Sequence, residues 1–357
     1  MRVMSVVGAR PQFVKLAPID WEFRRRGIEH IIVHTGQHYD ANMSDSFFAE
    51  LDIAKPNFNL HVGSGSHAFQ TAAMLTPLED LYLEYKPSWV LAYGDTNSTL
   101  ASAIAAAKVH QKLAHLEAGL RSFNRAMPEE INRIVTDHTS DLLLAPTKVA
   151  MDHLIREGLG DRSVLAGDVM TDICLATSEK YKGQMNLNEK FNLDRHYYLA
   201  TIHRAENTDD PKKLKTIINL LESLDVQVLL TMHPRLIQKL EEHGISISAQ
   251  NIIKANPLTY PEMVVATSNA KGVITDSGGL QKEAFLLKTP CVTLRSETEW
   301  VETSQYGKNL VGLNPSPDEV NAFIENVNSQ EWGNQTPYGS GNAARNVSSE
   351  LENRVNE

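Results

Sequence analysis

Residues Leu113–Arg133 read LAHLEAGLRSFNRAMPEEINR. The stretch opens as a short apolar strand and leaves it at Glu117. A flexible Ala118-Gly119 step follows, then a loop carrying Arg121 and Arg125. Pro128 suits the first position of a helix, which puts Glu129 in the first turn. Carboxylates and cations thus gather at the end of a strand. In an open α/β sheet, ligands bind outside that end. The flanking sequence decides whether this chain is such a sheet.

Apolar runs at Arg2–Val7, Glu29–Val33, Ser88–Ala92, Lys112–Leu116, Leu142–Ala145 and Val164–Leu165 read as strands. Helical segments separate them at 13–26, at 70–85 with Pro77 as a point of bending, at Thr99–Lys108 and after Pro128. A second series follows a polar stretch: Tyr197–Ile202, Val226–Thr231, Ile252–Ile253, Gly272–Thr275 and Cys291–Leu294. This alternation predicts the α/β class, with doubly wound parallel sheets and right-handed crossovers. The expected division is an N-terminal domain at 1–170, a C-terminal domain at 171–345 and a tail at 346–357 that either forms a short helix or frays.

The 357 residues suffice for about two domains, each with its own core. A net charge of -10 argues against a general nucleic-acid binder and against anchoring on an anionic membrane. Cys174 and Cys291 form no CxxC pair, so no disulfide framework or zinc site is indicated. No run approaches the roughly 18 apolar residues of a spanning helix. The expectation is a soluble cytoplasmic protein without a metal.

Several strand-end loops carry chemistry. Gly8-Ala9-Arg10 with Lys15 offers cations to phosphates or carboxylates, against the alternative of a solvated basic surface. With only Gly8 present, this is no GxGxxG fingerprint. His34–Asp40 (HTGQHYD) is a polar turn. Asp95 follows a strand and a glycine; its bland role is a helix cap, which Asn97 or Ser98 can fill instead. In the Pro128 helix, Ile131, Ile134, Val135 and His138 have the spacing of a core face. Glu129 and Arg133 lie on the opposite face, where an exposed i,i+4 pair contributes about 0.3–0.5 kcal/mol.

In the second half, Ser277-Gly278-Gly279 at a strand-to-helix turn is the best phosphate signal. Two glycines after a serine cap exceed what capping needs, and a helix start attracts anions. Glu283, about one turn further, could accept ribose hydroxyls or be a solvated helix residue. His203 and Arg204 end another strand, where they could meet a diphosphate or be plain surface.

Taken in order, GARPQFVKLAP (8–18), HTGQHYD (34–40), GDTNST (94–99), HLEAGLRS (115–122), PEEINR (128–133), GD (167–168), HRAEN (203–207), HPR (233–235), TDSGGLQKEA (275–284) and LRSETEW (294–300) resemble the non-hydrolysing UDP-N-acetylglucosamine 2-epimerases. The resemblance covers roughly residues 1–345. It implies a GT-B-like fold of two Rossmann-like domains facing across a cleft, a cytoplasmic homodimer and a UDP-sugar substrate. It also implies interconversion of UDP-GlcNAc and UDP-ManNAc without cofactor or metal, for polysaccharide precursors. The family eliminates UDP in the anti sense to 2-acetamidoglucal, then adds it back.

The resemblance implies that Asp95, Glu117 and Glu129 are the acid–base set, with His203 near the diphosphate and Arg10 and Lys15 opposite. Ser277, Gly278, Gly279 and Glu283 match contacts to diphosphate and ribose. Arg133, Arg204 and Arg235 join the substrate-binding set, and the backbone around Met263 lies near the uracil. Gln37 and His38 match the region where some bacterial members bind an activating UDP-GlcNAc, while Tyr39-Asp40 departs from it. Bacterial members commonly read Thr-Glu-Arg-Pro where this chain has Thr298-Glu299-Trp300-Val301. That variant, with SFNRAMPEEINR, resembles the branch acting on UDP-2,3-diacetamido-2,3-dideoxyglucuronic acid, whose C6 carboxylate Arg125 could serve. A hydrolysing epimerase, a GT-B glycosyltransferase and a nucleotide-sugar sensor are the remaining readings.

Overall fold

β1 (Arg2–Val7) is buried from Val3 onward, so both of its faces need cover. That is the demand of a parallel sheet, whose crossover helices lie on both sides. The computed structural model describes residues 1–37, 48–194, 196–298 and 300–355, and only the backbone of Arg10. The expectations for His38, Tyr39, Asp40 and Glu299 lie outside the described residues.

The first sheet adds β2 (Glu29–His34), β3 (Phe58–Asn59), β4 (Trp89–Tyr93), β5 (Leu113–Leu116), β6 (Leu142–Ala145) and β7 (Ser163–Leu165). Its order is β3-β2-β1-β4-β5-β6-β7, and every pairing is parallel. The second sheet holds β8 (Tyr197–Thr201), β9 (Gln227–Thr231), β10 (Ile252–Ala255), β11 (Gly272–Thr275), β12 (Cys291–Thr293) and β13 (Asn309–Val311). Its order is β10-β9-β8-β11-β12-β13, again parallel. Each unit therefore has the doubly wound Rossmann order, reversing beside β1 and beside β8.

β3 and β13 escape the sequence pattern. They are edge strands of 2 and 3 residues, too short for a period to show. Pro77 does not end its helix, which runs His67–Tyr85. Met74, Leu78 and Tyr82 from that helix pack on Met4, Val6, Val33 and Val90. In the second unit Leu214, Ile217, Ile218 and Leu221 cover Tyr198, Ala200, Val228 and Leu230.

The units are Met1–Ile173 with Thr336–Glu357, and Cys174–Gln335. This differs from the expected 171–345 domain, because the chain's end returns to the first unit. Its helix, Ala343–Asn353, buries Val347 and Leu351. Asp172 accepts the backbone N–H groups of Ala343 and Ala344 at 3.0 and 2.8 Å. Trp89 Nε1 donates to the Leu351 carbonyl at 3.0 Å. Polar, Gly-rich sequence before the helix gives no hint of this docking.

Candidate active site

In the first unit, the strand order reverses between β1 and β4, so the loops leaving those strands flank the expected ligand position. The β1 loop does not present its amides there. Gln12 Oε1 accepts from Gly8 N at 2.8 Å and from Ala9 N at 3.1 Å. Gly8 is a packing glycine: a Cβ would fall 2.1 Å from Thr35 Oγ1. The loop's contribution is the helix Arg10–Arg26, which carries Lys15.

Lys15 Nζ is paired with the Glu117 carboxylate. Burial opposes charge on Lys15. The Glu117, Asp95 and Asp168 carboxylates outweigh that burial and hold the ammonium above its ordinary value. Glu117 is buried and adopts φ +69°, the left-handed region that a non-glycine residue enters only under outside constraint. Gly94 abuts this pair; a Cβ there would lie 3.2 Å from Lys15 Nζ and 3.4 Å from Glu117 Oε2. Asp95, next along, accepts from Arg133 Nη1 at 2.5 Å. The cap of the following helix is Thr96, whose side chain accepts from Thr99 N, so Asp95 has no capping duty.

The Pro128–Thr139 helix corrects the expected pattern. Its buried residues are Glu130, Asn132, Thr136 and Asp137, while Ile131 and His138 are exposed. His138 is no core histidine; it approaches Glu157 at 3.3 Å. Arg133 does not pair with Glu129. It joins Glu130 at 2.8 Å and Asp95, which leaves Glu129 half-buried and without a hydrogen bond or ion pair among the described residues. The inward face is polar because it must satisfy the loop after β5. Glu130 accepts Ser122 N at 2.9 Å and Phe123 N at 3.0 Å. Burial opposes its ionisation, but those amides and Arg133 hold its carboxyl below the usual range.

Asp137 is fully buried and central. It pairs with His115 Nδ1 at 2.6 Å and Arg121 at 2.7 Å, and accepts Gly119 N at 3.1 Å. Desolvation works against its charge; His115 and Arg121 reverse that and lower its pKa. Arg121 also pairs with Glu157 at 2.7 Å, so it is a structural group. Gly119 (φ +81°) permits the close packing, since a Cβ would fall 2.3 Å from the Ala150 carbonyl. Arg125 is exposed.

In the second unit the order reverses between β8 and β11. His203 and Arg204 leave β8; Asp276 and Ser277 leave β11. Asp276 is fully buried and accepts His203 N at 3.0 Å, Arg204 N at 2.9 Å and Asn207 Nδ2 at 3.1 Å. It also lies 3.2 Å from His203 Nδ1. Burial would raise its pKa, but His203 and these donors lower it. His203 and His233 rings lie 5.2 Å apart.

Ser277 caps the helix Gly278–Leu286 by accepting from Leu280 N. The Gly278 and Gly279 N–H groups have no acceptor among the described residues. A Cβ at Gly279 would meet nothing within 4 Å, so packing does not require the glycine there. This turn, unlike the β1 loop, is open to an anion. Glu283 is buried, which removes its reading as a solvated residue. Arg204 is half-buried. Arg235 donates to Thr208 Oγ1 at 2.9 Å and to Asp209 at 2.5 Å, which directs its guanidinium to its own neighbourhood. Met263 is partly buried against the core of its unit. Gln37 Oε1 accepts from Ser98 N at 3.0 Å and Ser98 Oγ at 2.7 Å.

A family model described as UDP-N-acetylglucosamine 2-epimerase matches residues 22–352. The chain belongs to this family. UDP-N-acetylglucosamine 2-epimerases are isomerases. A relative from Methanococcus maripaludis, named a UDP-N-acetylglucosamine 2-epimerase homolog, is 46% identical over 99% of this chain and 100% of its own. The UDP-2,3-diacetamido-2,3-dideoxy-D-glucuronate 2-epimerase of Pseudomonas aeruginosa is 45% identical over 87% of this chain and 88% of its own. The crystal structure of the Methanocaldococcus jannaschii UDP-GlcNAc 2-epimerase, in complex with UDP-GlcNAc and UDP, superposes with TM-score 0.87 at 37% identity. It covers 99% of this chain and 100% of that one. The architecture is accordingly the GT-B-like one, with two Rossmann-like domains.

Lys15, Asp95, Glu117 and Arg133 come together in the first unit, and His203, Arg204, Ser277 and Gly278 lie at the switch point of the second. His115, Asp137 and Asp276 were absent from the sequence-level candidates. Each is buried and bonded to neighbouring groups, so only its position inside HLEAGLRS, after PEEINR, or inside TDSGG marked it.

No helix among the described residues is long and apolar enough to cross a membrane. No group of three or more His, Cys, Asp or Glu among them is placed to hold a metal.

Proposed function

We propose that this chain interconverts UDP-GlcNAc and UDP-ManNAc without hydrolysis, by anti elimination and re-addition of UDP. The observation that carries the reading is the pair of cation-bound carboxylates on neighbouring strand ends, Glu117 with Lys15 and Asp95 with Arg133. Inverting C2 needs a proton removed from one face and delivered to the other, which two acid–base groups can do.

The reaction closes without an external reagent. A carboxylate takes the C2 proton, the C–H electrons form the C1–C2 double bond, and the C1–O bond breaks with its pair leaving on UDP. A second group protonates the opposite face of C2 while the UDP oxygen returns to C1. Asp95, Glu117 and Glu129 form the acid–base set. His203, held by Asp276, meets the negative charge that develops on the leaving diphosphate. Ser277 and the amides of Gly278 and Gly279 bind that diphosphate, and Glu283 the ribose. The Met263 backbone borders the uracil. Arg10, Lys15 and Arg204 are the remaining cationic residues of this reading, while Arg235 joins it only if it leaves Asp209. A homodimer accompanies this reading and is tested by light scattering.

The 45% identity to the diacetamido-glucuronate enzyme favours a second substrate. In that case exposed Arg125 meets the C6 carboxylate. Measuring kcat/KM for both UDP-sugars decides between them. Preference for UDP-GlcNAc supports the first reading; turnover of the diacetamido uronate alone replaces it. Reaction only with an added acceptor indicates a transferase, and release of free ManNAc a hydrolysing epimerase.

A further inference from the structure

His115 lies on β5 two residues before Glu117 and is fully buried. Its ring is engaged at both edges. Nδ1 meets Asp137 Oδ1 at 2.6 Å, and Nε2 meets the Gly94 carbonyl at 2.7 Å. Gly94 is the residue before Asp95. On the far side, Asp137 Oδ2 takes Gly119 N at 3.1 Å, two residues after Glu117. One buried chain of contacts therefore ties the turn of Asp95, the loop of Glu117 and the helix that carries Glu129 and Arg133.

Ordinary packing does not ask for this. A buried ion pair is often no more stabilising than apolar residues of similar volume, so its presence needs another reason. The adjacent backbone supplies one. Glu117 (φ +69°) holds a left-handed conformation, which a non-glycine residue keeps only where surrounding contacts impose it. The Asp137 contact to Gly119 N falls two residues beyond Glu117, and Gly94, whose carbonyl His115 meets, abuts the Glu117–Lys15 pair.

We infer that His115 and Asp137 are positioning residues for the C2 chemistry, fixing the spacing of Asp95 and Glu117 through the Gly94 carbonyl and the Gly119 amide. Neither touches the reacting atoms. The inference rests on the function proposed above and adds which buried residues set its geometry.

The two edges of the ring can be separated. An asparagine amide stands near Nδ1, so His115→Asn keeps the Asp137 contact and gives up Gly94. A glutamine amide reaches toward Nε2, so His115→Gln keeps Gly94 and gives up Asp137. Displacement of a catalytic group by about 1 Å can cost roughly 100-fold in rate. The experiment measures kcat, KM and UDP affinity by calorimetry for wild type, both variants and Asp137→Asn, with circular dichroism to confirm folding. The expected result is a kcat loss of about 100-fold in His115→Asn with KM and UDP affinity within threefold of wild type. His115→Gln should recover at least tenfold of that loss. Equal kcat in His115→Asn and His115→Gln overturns the inference, as does a fall in UDP affinity matching the fall in kcat. If His115→Asn does not fold, Asp137→Asn takes its place: kcat within threefold of wild type overturns the inference, and a loss confined to kcat supports it. A wild-type protein that never exchanges the C2 proton overturns the proposed function itself; an active wild type with unchanged variants overturns only this inference.

Discussion

Arg133 Nη1 lies 2.5 Å from Asp95 Oδ2, and the same guanidinium holds Glu130 at 2.8 Å. The arginine thus bridges the turn after β4 to the helix that follows the Glu117 loop. Arg133→Lys keeps the charge and loses the fork that reaches both carboxylates. Its kcat should fall about 10–100-fold with UDP affinity unchanged in a calorimetric titration. Wild-type turnover would remove Arg133 from the account.

Asp95→Asn and Glu117→Gln each delete a proposed proton-transfer group from neighbouring strand ends. General acid–base catalysis contributes typically 10²–10⁴-fold, so turnover should drop by about that factor while UDP binding survives. Steady-state kinetics on both variants provides the check. Near-normal rates in both would contradict the acid–base assignment.

The second unit should respond differently. Removing a hydrogen bond to a charged group costs about 1.5–3 kcal/mol, roughly 10–150-fold in affinity. His203→Ala and Ser277→Ala should each weaken UDP binding within that range. Unchanged dissociation constants would disconnect these residues from the diphosphate.

The unequal legibility of this chain follows from what periodicity records. Arg2–Val7 and Tyr197–Thr201 are buried strands and announce themselves as apolar runs. Ile131 and His138 mislead, because the Pro128–Thr139 helix turns Glu130 and Asp137 inward to satisfy loop amides and buried cations. Polar residues that are buried to serve other polar groups are indistinguishable from surface by pattern alone. Glu283 is ambiguous for the same reason, and the pairing of Arg133 with Glu130 and Asp95, in place of the expected Glu129, is equally hidden from the pattern. The docking of Ala343–Asn353 on the first unit depends on contacts with residues as distant as Trp89, which no local signal encodes.

That docking has a stability consequence. Leu351 is fully buried, and Leu→Ala in a core costs about 2–5 kcal/mol. Leu351→Ala should lower the denaturant midpoint of the first unit, read by fluorescence of Trp89. An unchanged midpoint would show the helix to be dispensable for folding.

Acid should act on the same region. Hydrogen bonds from Arg25 foremost, and from Arg26 against opposing desolvation, bring the Glu22 pKa down to about 2 from 4.5. The folded value lies below the unfolded one. The stabilisation is therefore full above about pH 4.5 and is lost as pH falls toward about 2. Melting temperatures of wild type and Glu22→Gln should differ by a constant amount near neutrality and converge below pH 4.5. A gap that widens in acid would contradict the pairing.

The central claim is that C2 is deprotonated and reprotonated without net loss of the nucleotide, which leaves and returns. Proton NMR of UDP-GlcNAc with enzyme in deuterated water, with no acceptor added, reads this directly. The account predicts deuterium at C2 in both UDP-GlcNAc and newly formed UDP-ManNAc, reaching a stable ratio. Retention of the C2 proton in the product, or release of free sugar with UDP in place of the epimer, would contradict it.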